Sequence, residues 1–193
     1  AIPARGSDWA GPLLPHWTLV FARLADDASW QVREQACVAL DLLAQQARRQ
    51  FGPHLKQLIA PWLRCRFDAQ QDVRRAAVAA FGSAFPAEGK YSQALAFCRA
   101  ELVPTLAENV HAPPPPKTGD EDTDAEAAEA YTRRVSTSLQ AIAHLITQTN
   151  APANAPANAP VGGDASSAPP QASAALDELR GQLTERLLDE RLW

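Results

Sequence analysis

Lys56, Arg64, Arg66, Arg74, Arg75, Lys90 and Arg99 gather between residues 56 and 99 of the chain. Guanidinium forks grip carboxylates and phosphates in bidentate fashion, so such a cluster can hold a nucleic-acid backbone or an acidic protein face. The plainer reading is a solvated helix face, with some arginines paired inside the fold. Lys56, Arg64, Arg66, Arg75 and Lys90 stand as candidate partner contacts. Trp30 joins them because it follows a turn and sits off the apolar stripe of its helix, and Tyr91 because it closes the loop "EGKY". Tryptophan is enriched at interface hot spots, but Trp17 and Trp62 lie on apolar stripes and read as core.

Other reactive side chains are scattered. His16, His54, His111 and His144 fall in separate segments without a histidine three or four residues away, so neither a metal site nor an acid–base pair is expected. Cys37, Cys65 and Cys98 stand alone; an odd count without Cys-x-x-Cys spacing points to a reducing cytosol or nucleus rather than a disulfide framework. The acid run Asp120, Glu121, Asp122 and Asp124 suits a basic tail on a partner or, more simply, a solvated loop. No glycine-rich phosphate loop, nucleophile elbow or paired-carboxylate arrangement is present. The chain is therefore read as non-catalytic, with no cofactor and no small-molecule substrate.

The elements that position these groups repeat. "DASWQVREQACVAL" from Asp27 returns as "DAQQDVRRAAVAAF" from Asp68, with Asp27 over Asp68, Val32 over Val73, Arg33 over Arg74 and Ala36 over Ala77. Upstream, Gly11-Pro12 lies over Gly52-Pro53. Apolar spacings of three and four predict a first helix through Leu13, Leu14, Trp17, Val20, Phe21 and Leu24, and a second over about 30–50 through Val32, Ala36, Leu40, Leu43 and Ala47. A second pair follows at about 53–66 and 72–85, and a third at 92–110 and 125–148, interrupted by "HAPPPPKTGDEDTD".

Paired helices with a period of about 41 describe an all-α, HEAT-like helical-repeat solenoid. In such arrays Asp27, Arg33, Asp68 and Arg74 would form a ladder of Asp–Arg hydrogen bonds between successive repeats. The array is expected over 9–149, with repeats at about 11–50, 52–88 and 91–149 and a Pro/acidic loop at 111–124. A low-complexity linker should occupy 150–172, and an amphipathic helix, the start of a further repeat, 173–193. Residues 1–110 carry 12 Lys/Arg against 10 Asp/Glu, whereas 111–193 carry 6 against 12, so the net charge of −4 belongs to the second half. That balance argues against a nucleic-acid binder defined by bulk charge. Methionine is absent even at position 1, so the chain is read as a piece of a longer protein.

The second repeat is more specific than its period. The words "HLKQL", "WLRCRFD", "AAVAAFGSAFP" and "ALAFCRAE", in this order, resemble the N-terminal region of listerin, the RING-type E3 ubiquitin ligase of ribosome-associated quality control. "DASWQVRE", "LAENV" and "EAAEAYTRRVSTSLQAIAHLI" agree with it. The resemblance runs over about 9–149 and is strongest from Pro53 to Glu101. It implies a long helical-repeat ligase whose RING lies outside this chain. It also implies that the N-terminal region docks on the large ribosomal subunit, on protein and rRNA, alongside the NEMF-type partner that recognises exposed tRNA. The expectation is thus a cytosolic, ribosome-associated, monomeric docking scaffold that does not touch membranes. The alternatives are a generic HEAT-repeat scaffold or transport adaptor, and a direct RNA-binding module.

Overall fold

The computed structural model describes residues 10–150, and every regular element in that span is helical. The expected linker after 150 and the helix at 173–193 lie outside the described residues. Seven α-helices follow one another: α1 (Ala10–Leu24), α2 (Trp30–Ala47), α3 (Leu55–Cys65), α4 (Gln71–Ala84), α5 (Lys90–Phe97), α6 (Arg99–His111) and α7 (Glu121–Asn150), with a 3-10 segment at Arg48–His54. The contacts below belong to the unit that ends at His144.

Two layers build the array. α1, α3 and α6 lie side by side in one, while α2 and α4 make the most extensive contact of all in the other. The buried faces of that second layer are small, with Ala36, Ala44 and Ala47 on α2 and Ala77 and Ala80 on α4, so the two backbones can approach closely. The fold is thus an all-α helical-repeat solenoid. Between the layers lies Trp62, fully buried, its ring stacked on Phe81 at 3.9 Å with planes 3° apart and its Nε1–H donated to the Ala77 carbonyl at 3.1 Å. Leu55, Leu58, Ile59 and Leu63 of α3 bury beside it, as the spacing predicts.

The same turn is built twice. Asp27 Oδ1 accepts the Ser29 amide at 2.9 Å, and Asp68 Oδ1 accepts the Gln70 amide at 2.8 Å. Each carboxylate closes a turn onto the amide two residues on, which lies just before the first residue of the following helix.

Several stripes differ from expectation. Leu13 and Val20, placed on the inner face of α1, are 46% and 44% exposed. α1 packs chiefly on α2, α3 and the 3-10 segment, and Thr18 takes a buried place, donating Oγ1–H to the Pro15 carbonyl at 2.8 Å. On α2, Arg33 and Cys37 turn inward while Val32 is half-buried. The segment 92–110 is two helices, not one. The chain breaks at Cys98 (φ −89°, ψ 1°), which leaves Phe97 63% exposed instead of in the core.

Candidate interaction surface

The two turns and the helix ends around them carry an arginine–aspartate network. Arg33 donates Nε–H to Asp68 Oδ2 at 2.8 Å and Nη2–H to Asp68 Oδ1 at 3.1 Å, and both side chains are 4% exposed. Its Nη1 is held by the carbonyls of Asp27 (2.8 Å) and Ala28 (2.9 Å). Arg74 repeats the second half of this arrangement, donating Nη1–H to the carbonyls of Asp68 (2.6 Å) and Ala69 (2.7 Å). Of the four residues expected to form a ladder, the Arg33–Asp68 rung is therefore the one that crosses between repeats. The Asp27 carboxylate serves its own turn.

The partner-contact candidates divide. Arg64, expected at a surface, is buried: it grips Asp26 with Nη1 at 2.7 Å and Nη2 at 3.0 Å, which ties the end of α3 to the end of α1. Its two Nη groups are used inside the fold, while its buried Nε has no hydrogen-bond partner among the described residues. Lys56 pairs with Glu101 on α6, holding that carboxyl below its ordinary range, and sits 5.1 Å from the exposed Phe97 ring. Arg66 lies over Tyr91 at 5.4 Å. Tyr91 is half-buried and shares a hydrogen bond of 3.0 Å with His144 Nε2, while its ring meets Phe81 edge-on. Burial pushes the Tyr91 phenol up to about 12. Lys90 donates to Gln93 at 3.0 Å from an exposed position. Arg75 pairs with Asp72 one turn away and is 70% exposed. Trp30 is half-buried.

Three participants escaped the sequence reading: Asp26, Arg133 and Arg134. Arg133 donates Nη2–H to the carbonyls of Asp26 (3.0 Å) and Asp27 (3.2 Å), so α7 fastens onto the first turn. Burial, then the neighbouring Arg33 charge, lowers the Arg133 pKa from its ordinary value. Arg134 Nε lies 3.9 Å from Asp26. A periodic pattern gives no signal for a contact between residues so far apart. Only the pairing of Asp26 with Asp27 hints that two acceptors stand at one corner.

Among the described residues no group of His, Cys, Asp and Glu is placed to hold a metal ion. Cys37 lies against Cys65, and that contact and then burial raise its thiol above the ordinary value; burial pushes Cys98 up to about 11. Both thiols are protonated at neutral pH and are poor nucleophiles. No described helix is long and apolar enough to cross a membrane.

A stack of paired helices, stapled at its turns by arginines, is a helical-repeat solenoid by class. The family sequence model for the N-terminal domain of the E3 ubiquitin-protein ligase listerin matches residues 5–162, and the chain belongs to that family. It is 31% identical over 140 residues to the listerin of Xenopus tropicalis, 29% over 136 residues to that of Mus musculus and 28% over 140 residues to that of Drosophila melanogaster. These alignments cover 69%, 69% and 71% of this chain but 8% of each relative, so the chain spans a small part of their length. No solved structure matches.

Proposed function

We propose that this chain is the non-catalytic, N-terminal docking end of a listerin-like ubiquitin ligase. It binds the large ribosomal subunit and the tRNA-sensing partner during quality control of stalled nascent chains in the cytosol. The match of the listerin N-terminal domain over most of the chain carries the reading. Its support in the fold is a rigid stack with Arg66, Arg75 and Lys90 left near or at its surface after Arg64 and Arg33 are consumed internally. The mechanism is surface complementarity. Ubiquitin transfer belongs to a RING elsewhere in the whole ligase.

Co-sedimentation with large subunits bearing peptidyl-tRNA, with and without the tRNA-sensing partner, tests this. The wild-type chain should pellet only with subunits. Arg66→Glu/Arg75→Glu should weaken pelleting several-fold, and more so at low salt, where exposed charge contributes most. Pelleting that the double variant leaves intact would move the contact off α4. No pelleting under any condition would overturn the docking role.

A further inference from the structure

Arg33 and Arg74 occupy equivalent places, yet only one is complete. Both have Nη1 pinned by two turn carbonyls, which fixes the guanidinium plane and aims the Nε/Nη2 edge out of the repeat. On Arg33 that edge carries the Asp68 carboxylate. On Arg74 it has no acceptor among the described residues, although the side chain is half-buried. The third repeat has its turn between α6 and α7, at residues 112–120, and the carboxylates at its end engage their own segment: Asp124 accepts the Thr118 amide and hydroxyl, and Asp120 accepts the Thr123 hydroxyl.

Arg74 is one wall of a groove that Arg66, Gln71, Arg75, Val78 and Ala79 also line. Val78 is 46% exposed, and Ala79 and Gly82 beside it are exposed and small. Most of this surface lies on the exposed face of α4, away from the buried Ala77 and Ala80, and its three arginines, Arg66, Arg74 and Arg75, make it complementary to an acidic partner. We propose that the groove binds an acidic amphipathic helix of a partner protein. A carboxylate at the start of that helix would complete the Arg74 fork, and apolar side chains one and two turns on would cover Val78 and Ala79. A preorganised planar fork favours a bidentate acceptor because little side-chain freedom remains to be lost. A phosphate also fits the fork but leaves Val78 uncovered, so a protein helix is the better occupant. The groove shares Arg66 and Arg75 with the surface considered above. Its test uses no ribosomes, so either idea can fail without the other.

The test is nitrogen–proton NMR of the whole chain, reading the arginine Nε–H resonances. Arg33 serves as the internal reference for a carboxylate-paired fork. The probe is an alanine-based helical peptide with Asp at its N-cap and leucines along one face. Comparison arms are the same peptide with Asn at the N-cap, and an oligouridylate of similar length. The Asp peptide should move the Arg74 resonance toward that of Arg33, with the Asn peptide binding about tenfold more weakly, the loss of one charge-assisted contact. Arg74→Lys should cost a similar factor. Val78→Glu, at an exposed position that leaves the turn bonds intact, should abolish binding with the fold unchanged by circular dichroism. Equal binding of the Asp and Asn peptides, an unmoved Arg74 resonance, or undiminished binding to Val78→Glu would each overturn the proposal. So would an oligouridylate that binds more tightly than the peptide with the same Arg74 dependence.

Discussion

Asp68 does two jobs with one carboxylate. Oδ1 accepts the Gln70 amide and Arg33 Nη2, while Oδ2 accepts Arg33 Nε, in a place almost without water. Removing one partner from a buried ion pair leaves the other uncompensated, so Asp68→Ala should lower unfolding free energy by about 3–5 kcal/mol in urea denaturation. Arg33→Met/Asp68→Leu should recover part of that loss, because neither charge then remains buried. His144 offers a pH test. Burial, then the Arg66 charge, lowers its pKa from 6.5. The unfolded chain therefore takes up the proton first as pH falls. The contribution is complete above 6.5 and is lost as pH drops through that value toward the folded one. His144→Phe should flatten the stability–pH slope between about pH 7 and 5, measured by thermal unfolding. The Asp-to-Arg spacing of the ladder was legible because it sits at one place in two copies. Arg64 was not, because its fate depends on where the end of α3 meets Asp26, which no local spacing records.

Helices follow the same logic one level up. The 41-residue offset and the apolar spacing located α1 to α4 and the inward residues of α3, because both signals are local. They did not separate the buried residues of α1 from the exposed Leu13 and Val20. They also gave no warning of the break at Cys98, since the apolar pattern runs through it unbroken. Before α5 the chain turns on Gly89, whose φ of 74° is left-handed, and a Cβ there would meet nothing within 4 Å. With no steric clash to confuse the result, Gly89→Ala should report backbone strain alone. The expected loss is about 1–2 kcal/mol by chemical denaturation, with faster amide exchange confined to the first turn of α5.

For the molecule, the interruption between α6 and α7 matters more than its composition suggested. Residues 113–120 are exposed apart from the half-buried Pro115, and Asp124 closes the segment by accepting the Thr118 amide (2.7 Å) and hydroxyl (2.8 Å). Lys117 is the exposed basic residue there, so limited trypsin should nick the chain after it. The fragments should nevertheless co-elute in gel filtration, because Arg133 and Tyr131 hold α7 to the first turn and to the Ala112 carbonyl. Separation of the fragments on nicking would show those bonds to be too weak to hold α7 in place. The family was legible in ordered words such as "WLRCRFD", which carry core residues (Trp62, Leu63) and turn residues (Asp68) together. The role of α7 was not, being a matter of one arginine reaching across the fold.

That reach also sets an order of events in time. Stacked repeats can fold from neighbour to neighbour as they are made, and the Asp27 carbonyl finds Arg33 six residues on, but the Asp26 carbonyl waits for an arginine 107 residues downstream. At roughly 5–20 residues per second of synthesis, the first turn stays hydrated for on the order of ten seconds after it forms. The first turn is therefore among the last places to close, and its nascent form presents a bare Asp26 carbonyl where the finished fold presents a staple.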